Sequence, residues 1–481
     1  MKYFIVILLF CTASCSAQNS ANTSNTTNTT TNTTNKENPS AHNGFVLSNV
    51  HIVDVEKQTI HRDKIVTVEN GVITAITDIN NVSHVSDVSD ELPSNSQTEL
   101  THIDGNGGYL TPGLIDMHVH IYEKASYALT LSHGVTHVRI MNGVAEQLVW
   151  REQVNAGSLI GSTSTVSSPI ISAYEDAYLH HSVTTAAQAR EAVRAYHRQG
   201  YDVIKAYGNL NQQALTAIVE EGQKLNMPIA KHGPHASGTM PVSALTGLQS
   251  FEHVEDIYQG PLNHQFDADL LPQIIAELKA TEVAITPTLN IFQQLTKLSS
   301  DKQDHLSKTP QHYTSDIIRL ETKNNQVKRW LNASDDMAAH NRKTLNFLIS
   351  ITKQLHQSGV PLLVGSDSGV LLSPHGIATH HEMQLLQQAG LTPYEVLQAA
   401  TTNPAKALNM ASQIGSVAAN YRADFIYSKS NPIKDLSVLQ EPDAVVKNGT
   451  WYSQQQLQQI RDQAIDSRSM WQEFWVLFEA L

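Results

Sequence analysis

Cysteine is nearly absent from this chain of 481 residues, which contains only Cys11 and Cys15. Both thiols lie in the first 15 residues, so the rest of the chain can form no internal disulfide and offers no thiolate ligand for a metal. Any metal site further along must therefore be built from histidine, carboxylate or modified lysine side chains.

Positive charge is also scarce, because 32 Lys and Arg are set against 45 Asp and Glu, which gives a net charge of −13. The sequence has no long run of lysine or arginine. This composition argues against a nucleic-acid partner and against a surface for anionic membranes. It is compatible with a small-molecule substrate that is neutral, cationic or bound to a metal.

Long apolar runs are missing as well, and the stretch at residues 3–10 is too short to span a bilayer. It follows Lys2 and precedes small residues, so we assign residues 1–17 as a secretory signal peptide, with a buried N-terminal strand as the alternative. Cleavage after Ala17 would release a soluble protein, periplasmic or secreted. The sequence "TASC", which ends at Cys15, resembles a lipobox and would instead give a membrane-anchored lipoprotein. We therefore expect export and leave the two routes open.

The remaining chain divides by composition. Residues 18–43 are rich in asparagine and threonine and too polar to order themselves, which predicts a disordered linker. Short β-branched runs between turn residues occupy 44–107 and return at 411–455, which predicts one small β-sandwich domain made from both segments. Residues 456–481 are predicted to form a C-terminal helix that packs on the core, or else supports a homo-oligomer.

Short apolar strands alternate with helical segments between residues 108 and 410. Eight strand–helix steps predict an α/β fold in which a (β/α)8 TIM barrel forms the catalytic domain. A polar insertion at about 290–335 is expected to cover the barrel mouth as a loop or helical lid. The candidate strands are "LIDMHVH", "VTHVRIM", "TVSSPIIS", "DVIKAYG", "MPIAKHG", "LQSFEHV", "VAITPTL" and "PLLVGSDSG".

Ligand-type residues end five of these eight strands, which is where TIM barrels build their active sites. His118 and His120 end the first strand, and the two-residue period places both on one face, within reach of one ion. Each such residue alone is more often structural, but the ordered set is specific, and imidazole nitrogen suits zinc. The further members of the set are Lys205, His232, His253 and Asp367.

The ordered set resembles the amidohydrolase superfamily, and within it the imidazolonepropionase-like and prolidase-like enzymes, the latter including Xaa-Pro and Xaa-Arg dipeptidases. The similarity covers residues 44–455 and is carried by "TPGLIDMHVH", "DVIKAYG", "SFEHVED" and "LLVGSDSG". It implies hydrolysis of a C–N amide bond in a dipeptide or an N-acyl amino acid. A cyclic amidohydrolase is the alternative, which export argues against. A non-catalytic metal-binding protein is a second alternative, which the intact Asp367 argues against.

The resemblance also implies a role for each residue of the set. It implies one or two divalent metal ions, of which zinc is the leading candidate. It also implies that Asp367 is both a metal ligand and the catalytic proton shuttle. The implied ligands are His118, His120 and Asp367 for the first ion, His232 and His253 for the second, and Lys205, N6-carboxylated by CO2, as a bridge.

Substrate binding is the expected role of Tyr207 and Arg139, which stand near the ends of the fourth and second strands. Two positions depart from the family pattern: Met141 replaces an acid after strand two, and Lys231 precedes His232. His235 could compete as a ligand, His180 and His181 are expected at the rim, and an indirect or helix-start role is expected for His375, His380, His381 and Glu382.

Overall fold

The computed structural model describes residues 44–79, 100–175, 179–234 and 240–479. The predicted signal peptide, the predicted linker and His235 lie outside the described residues. The described chain is a mixed α/β structure, as expected. Its strands are β1 Gly44–Asp54, β2 Thr59–Glu69, β3 Val72–Asp78, β4 Thr101–Pro112, β5 Leu114–Val119, β6 Val135–Ile140, β7 Thr163–Val166, β8 Ile170–Ser172, β9 His180–Ser182, β10 Ile204–Ala206, β11 Ile229–His232, β12 Ser250–Glu252, β13 Ala284–Thr286, β14 Phe425–Ser428, β15 Ala444–Lys447 and β16 Thr450–Ser453.

Helices follow most of the central strands and surround them. The α helices are α1 Ala125–Ser132, α2 Ala145–Asn155, α3 Ala186–Gln199, α4 Gln212–Leu225, α5 Glu255–Gln259, α6 Leu271–Ala280, α7 Leu289–Ser300, α8 Lys302–Lys308, α9 Asp316–Asn324, α10 Gln326–Leu331, α11 Asp335–Gln357, α12 Ile377–Gln388, α13 Pro393–Ala400, α14 Thr402–Ala407, α15 Gln454–Asp466 and α16 Met470–Glu479. None of the helices in the described part is long and apolar enough to cross a bilayer.

The N- and C-terminal segments meet in one seven-stranded sheet, in the order β16-β15-β14-β4-β1-β2-β3. Strands β4 and β14 join the two segments by antiparallel pairing, with Thr111 opposite Ile426. Leu47, Val66 and Phe425 are fully buried beneath this sheet. The two distant segments therefore contribute to one sheet, and β4 continues to Pro112, beyond the expected boundary at residue 107. The two-part β-sandwich domain stays a prediction.

Two parallel sheets carry the centre of the molecule. One has the order β13-β12-β11-β10-β8-β9, and the other has the order β5-β6-β7. Apolar side chains such as Leu114, Val138 and Ile204 are fully buried between these strands and the helices around them. Three isolated parallel bridges link the central segments beyond these sheets: Ser167 with Val203, Ile285 with Leu362, and Val119 with Ser368.

The eighth predicted strand, "PLLVGSDSG", is not a regular strand, and it contributes only the bridges at Leu362 and Ser368. Its backbone is satisfied in other ways. The Ser366 amide donates to the Asp116 carboxylate at 3.0 Å, and the Asp367 amide donates to the His118 carbonyl at 2.8 Å. Backbone bonds to the neighbouring segments, together with the Asp116 side chain, thus satisfy this stretch, because every buried amide needs a partner.

Helix α3 illustrates how local sequence sets an element. Its N-cap Thr185 accepts a hydrogen bond from the Gln188 amide, and the Gln188 side chain returns a bond to the cap, which forms a capping box. Gly200 ends the helix in the left-handed conformation at φ 89°, where glycine carries no steric penalty. Between these signals, Ala189 and Val193 face the core. The predicted helix therefore has the bounds that its caps dictate.

The predicted insertion at 290–335 is helical and contains most of α7 together with α8, α9 and α10. It has an apolar cluster of its own, in which Leu298, Leu306 and Val327 pack with Leu371 and Leu372. Of the two forms that the sequence left open, the helical one is therefore present. The sequence analysis treated the segment as polar and did not identify these buried apolar residues.

The prediction of a single C-terminal helix at 456–481 is wrong, because the segment contains two helices, α15 and α16, separated at residues 467–469. Arg468 lies in the break and reaches across the molecule to the carboxylate of Glu123, with 2.6 Å between Arg468 Nε and Glu123 Oε2. Arg468 also donates to the carbonyl oxygens of His312 and Tyr313. These long-range bonds hold the chain in a non-helical conformation between the two helices.

Candidate active site

Three histidines surround the Asp367 carboxylate where the central strands end. His120 Nε2 lies 2.9 Å from Asp367 Oδ1, and His118 Nε2 lies 3.7 Å from the same oxygen. His253 Nδ1 lies 3.8 Å from the other oxygen, Oδ2. Potential ligand atoms of His118, His253 and Asp367 all fall within 4.8 Å of one another. This spacing is compact enough for the three side chains to share one metal ion.

The fourth predicted histidine extends the cluster. The ring centroids of His118 and His253 are 4.7 Å apart, and those of His253 and His232 are 4.4 Å apart, so the imidazoles form a continuous row. His232 Nε2 lies 3.3 Å from Asp256 Oδ2, a carboxylate that the sequence analysis did not single out. The side chains of His120 and His232 are 17% and 18% exposed, so the row is open to solvent at both ends.

Lys205 lies beneath this cluster and is almost completely buried. Its Nζ atom makes no hydrogen bond to any of the described residues. Burial lowers the pKa of the amine to about 8, and the positive charge of Arg139 acts in the same direction, while the carboxylates of Glu252 and Asp367 oppose it. The lowered pKa increases the fraction of the amine that is unprotonated at neutral pH, and the unprotonated form is the one that reacts with CO2.

Burial also sets the charge of the histidines. The pKa of His118 and that of His253 are both lowered to about 4, first by desolvation and further by the charge of Lys205. Both rings are therefore neutral at pH 7, which is the form that binds metals. Burial alone would raise the pKa of Asp367, but the neighbouring His118, His120 and His253 bring it below its usual range.

Glu252 holds His118 from behind and was missed by the sequence analysis. Glu252 Oε2 lies 2.8 Å from His118 Nδ1, and both side chains are buried. This contact leaves Nε2 as the nitrogen that faces Asp367. A carboxylate behind a ligand histidine fixes its ring and its tautomer. The only available sequence signal was the position of Glu252 directly before His253 in "SFEHV".

Arg139 does not have the substrate-binding role predicted for it. Its side chain is completely buried, and its Nη2 atom donates to Glu252 Oε1 at 2.6 Å. The remaining nitrogens donate to the Met117 carbonyl, the Gln249 side chain and the Ser250 hydroxyl. With these donors engaged beneath the cluster, Arg139 supports Glu252 and cannot reach a substrate.

Two of the clustered residues have left-handed backbone conformations, with φ of 70° at His253 and 52° at Asp367. Such values are uncommon for residues other than glycine and tend to occur at functional sites. The Asp116 carboxylate stabilises this region, because it accepts from the backbone amides of His118 and Ser366 at 3.1 and 3.0 Å and from the Thr379 hydroxyl at 2.6 Å.

Other predicted residues take varied positions. The Tyr207 ring lies 3.9 Å from the His232 ring, beside the cluster as expected. Lys231 is buried and donates to the carbonyl oxygens of His232 and Gly233, so it supports the chain that carries His232. The Met141 side chain packs in an apolar cluster with Val203 and Ala230.

The residues after Asp367 act from behind the site or outside it. His375 Nδ1 lies 2.9 Å from the Ser368 hydroxyl, and His380 Nε2 lies 2.8 Å from the His133 carbonyl. The Glu382 carboxylate accepts from the Asn290 amide at 2.7 Å. Each of these contacts joins parts of the fold around the cluster, which agrees with the indirect role expected for them.

Residues 109–452 match the family described as the amidohydrolase family. The chain belongs to the amidohydrolase family. Among curated proteins, this amidohydrolase is 24% identical over 274 residues to ochratoxinase from Aspergillus niger, an alignment that covers 54% of this chain and 47% of that protein. It therefore spans about half the length of the curated relatives that it matches.

Solved structures show the same fold. A Bifidobacterium longum protein described as a prolidase superposes on this amidohydrolase with a TM-score of 0.65 at 22% identity, covering 88% of this chain and 99% of the other. A Xaa-Pro dipeptidase superposes with a TM-score of 0.61 at 20% identity, covering 85% and 100%. The Aspergillus niger ochratoxinase structure gives 0.62 at 18% identity, covering 85% and 96%.

Proposed function

We propose that this chain is an exported, metal-dependent amidohydrolase that hydrolyses the C–N amide bond of a dipeptide or an N-acyl amino acid. The observation that carries this proposal is the grouping of His118, His120 and His253 around the Asp367 carboxylate. The names of the similar proteins, a prolidase, a Xaa-Pro dipeptidase and an ochratoxinase, support a small amide or peptide substrate.

A closed (β/α)8 barrel is part of this proposal. The three isolated bridges connect the two parallel sheets with the segment that contains Asp367, in the cyclic order that a barrel requires. Closure would bring the carboxyl ends of all these strands to one face, where barrel enzymes bind substrate. The clustering of His118, Lys205, His232 and His253 at those ends supports it.

The residues of the site fit a divalent metal, because neutral imidazoles and an ionised carboxylate converge and a buried amine lies among them without a partner. We infer that His118, His120, His232, His253 and Asp367 would hold one or two zinc ions, and that Lys205, as a carbamate, would be a further ligand. When bound, the metal supplies Lewis acidity, which polarises the amide carbonyl and lowers the pKa of water.

Asp367 is the group that we assign to proton transfer. Its ionised carboxylate takes a proton from a water molecule as the water oxygen bonds to the amide carbonyl carbon. The carboxyl then returns that proton to the amide nitrogen as the C–N bond breaks, so a neutral amine and a carboxylic acid leave. The histidines around Asp367 keep its pKa low and therefore keep the base ionised before the reaction.

Tyr207 is the residue that we propose for contact with substrate, since its ring lies against His232 at the solvent-exposed end of the histidine row. Export rests on the sequence of residues 1–17 alone. Lipidation at Cys15 and cleavage after Ala17 are the two routes that we propose for it.

The test combines metal analysis with a substrate panel. Purified protein is assayed for divalent metals by elemental analysis and for hydrolysis of dipeptides and N-acyl amino acids, before and after chelation. We expect one or two ions per chain, loss of hydrolysis on chelation and its return when zinc is added. A folded protein that takes up no metal and cleaves none of these amides would overturn the proposal.

A further inference from the structure

Three aromatic rings continue outward from the exposed end of the histidine row. The Tyr207 ring lies 3.9 Å from the His232 ring, and the His180 ring lies 5.3 Å from Tyr207. Tyr174 closes the group, at 6.4 Å from Tyr207 and 6.2 Å from His180. These separations lie within the range of direct aromatic contact, so the three rings form one surface beside the site.

Hydrogen bonds hold this surface in shape. The Ser172 hydroxyl, which is completely buried, lies 2.9 Å from His180 Nδ1 and accepts from the Tyr174 amide at 3.2 Å. The Tyr207 amide donates to the Ile171 carbonyl at 2.8 Å. One buried side chain therefore positions two of the rings, and the backbone positions the third.

Close packing fixes the Tyr174 ring over the chain next to Tyr207. A Cβ atom added at Gly208 would lie 2.3 Å from the Tyr174 hydroxyl oxygen, so the ring packs directly against the backbone there. Tyr174 nevertheless remains 37% exposed, one of the few large apolar side chains on the described surface to do so. A ring that is held in place but open to solvent presents its face to a ligand.

The surface consists of the rings of two tyrosines and one histidine. Burial lowers the pKa of His180, so its ring is neutral at pH 7. Fixed neutral rings gain most from contact with another planar or bulky apolar group.

We propose that Tyr174, His180 and Tyr207 form an aromatic platform that binds an aromatic or bulky apolar side chain of the substrate next to the scissile amide. This inference rests on the proposed amide hydrolysis and specifies its substrate class. Within it, Tyr174 is a specificity-determining residue, because its exposed ring forms the outer part of the platform.

The experiment compares kcat/KM for three dipeptides, Phe–Ala, Ala–Phe and Ala–Ala, in the zinc-loaded protein and its variants. We expect the better phenylalanine dipeptide to exceed Ala–Ala by about tenfold or more, since that is the discrimination a hydrophobic subsite gives. Tyr174→Ala should lower this ratio by about tenfold, and Tyr174→Phe should preserve it because the ring remains. An unchanged ratio in Tyr174→Ala would overturn the platform.

Leu270→Ala is the matched control, because Leu270 is also 37% exposed and precedes α6, in another part of the chain. It should leave the ratio as it is. Calorimetric binding of N-acetyl-L-phenylalanine and N-acetylglycine separates this inference from the proposed function, since it needs no turnover. Preference for the phenylalanine ligand that is lost in Tyr174→Ala supports the platform even if no amide is cleaved. Hydrolysis with no such preference overturns the platform alone.

Discussion

Glu252 and His118 form a fully buried pair, with 2.8 Å between Glu252 Oε2 and His118 Nδ1. The other oxygen of Glu252 accepts from Arg139 Nη2 and from the Ser250 hydroxyl. Two donors and a histidine therefore fix the carboxylate, and the carboxylate fixes the ring. Glu252 and Arg139 therefore determine that His118 Nε2 faces Asp367, although neither residue is placed to contact a substrate.

We expect Glu252→Gln to weaken zinc binding about 10–100-fold, which is the usual cost of losing a carboxylate behind a ligand histidine. The amide keeps the size of the side chain but no longer holds the His118 tautomer. Competition with a chromogenic chelator measures the affinity, and circular dichroism confirms folding. Glu277→Gln, at a partly exposed position on α6, is the control. Equal zinc affinity in both variants would remove Glu252 from the site.

Asp367→Asn should abolish most amide hydrolysis while much of the bound metal remains. The asparagine side chain keeps one oxygen near His120 but cannot accept and return the proton, a function worth about 10²–10⁴-fold in rate. Parallel measurement of kcat and metal content tests this directly. Asp301→Asn, at an exposed residue, serves as the control. If Asp367→Asn turned over at the wild-type rate with its metal bound, the proton-transfer role would be wrong.

Lys205 should form a carbamate that Lys231 does not form. Burial lowers the pKa of Lys205 to about 8 and that of Lys231 to about 7. Both amines therefore have an unprotonated fraction near neutral pH, and their protonation does not distinguish them. Only Lys205, however, lacks a hydrogen bond within the described structure, whereas Lys231 donates to two carbonyls. We expect one carbamate signal in the carbon-13 NMR spectrum with labelled bicarbonate. Its persistence in Lys205→Ala would contradict the assignment.

The grouping of His118, His253 and Asp367 was predictable because these residue types stand at the ends of apolar segments, where chain order places them together. Arg139 shows the limit of this reasoning. It also stands near a strand end, in β6, but its side chain points beneath the cluster. Successive side chains of a strand point to opposite faces. A residue next to a substrate-facing position can therefore be buried, as Arg139 is.

Two local features depend on contacts between residues far apart in the chain, and the sequence did not predict them. The left-handed conformations of His253 and Asp367 depend on neighbouring segments of the fold and not on glycine. The break between α15 and α16 depends on a bond from Arg468 to Glu123, 345 residues earlier in the chain. The sequence around residue 468 does not reveal this contact, and one helix was predicted where two exist.

The fold should lose stability as the pH falls below 6.5, in part through His137. Burial, with the nearby charges of Lys447 and Arg422, lowers its folded pKa from 6.5 to about 3. The unfolded state therefore binds the proton first, and each such histidine costs about 1.4 kcal/mol per pH unit between those values. Urea unfolding at pH 7 and pH 5 should show a smaller difference in His137→Gln than in wild type. An identical difference would rule the residue out, and His102→Gln, at an exposed position, is the control.

The bond between Arg468 and Glu123 should be among the strongest single contributions to the stability of the C-terminal segment. The two side chains are 9% and 7% exposed, and Arg468 Nε and Nη2 each contact one oxygen of the carboxylate. Replacement of Arg468 leaves the Glu123 carboxyl buried without its partner, so it must take up a proton on folding, and breaking such a pair costs about 3–5 kcal/mol. We therefore expect Arg468→Met to lower the free energy of unfolding in urea by about this amount.

The paired variant distinguishes a stranded charge from lost packing. Adding Glu123→Gln to Arg468→Met removes the isolated carboxylate, so the double variant should recover part of the stability that the single variant loses. Burial raises the pKa of Glu123 to about 7 even beside Arg468, so the loss in Arg468→Met should be smaller at pH 5, where the carboxyl is protonated. A loss below about 1 kcal/mol at neutral pH, the value of an exposed ion pair, would show that solvent reaches this bond and that the C-terminal helices are held by other contacts.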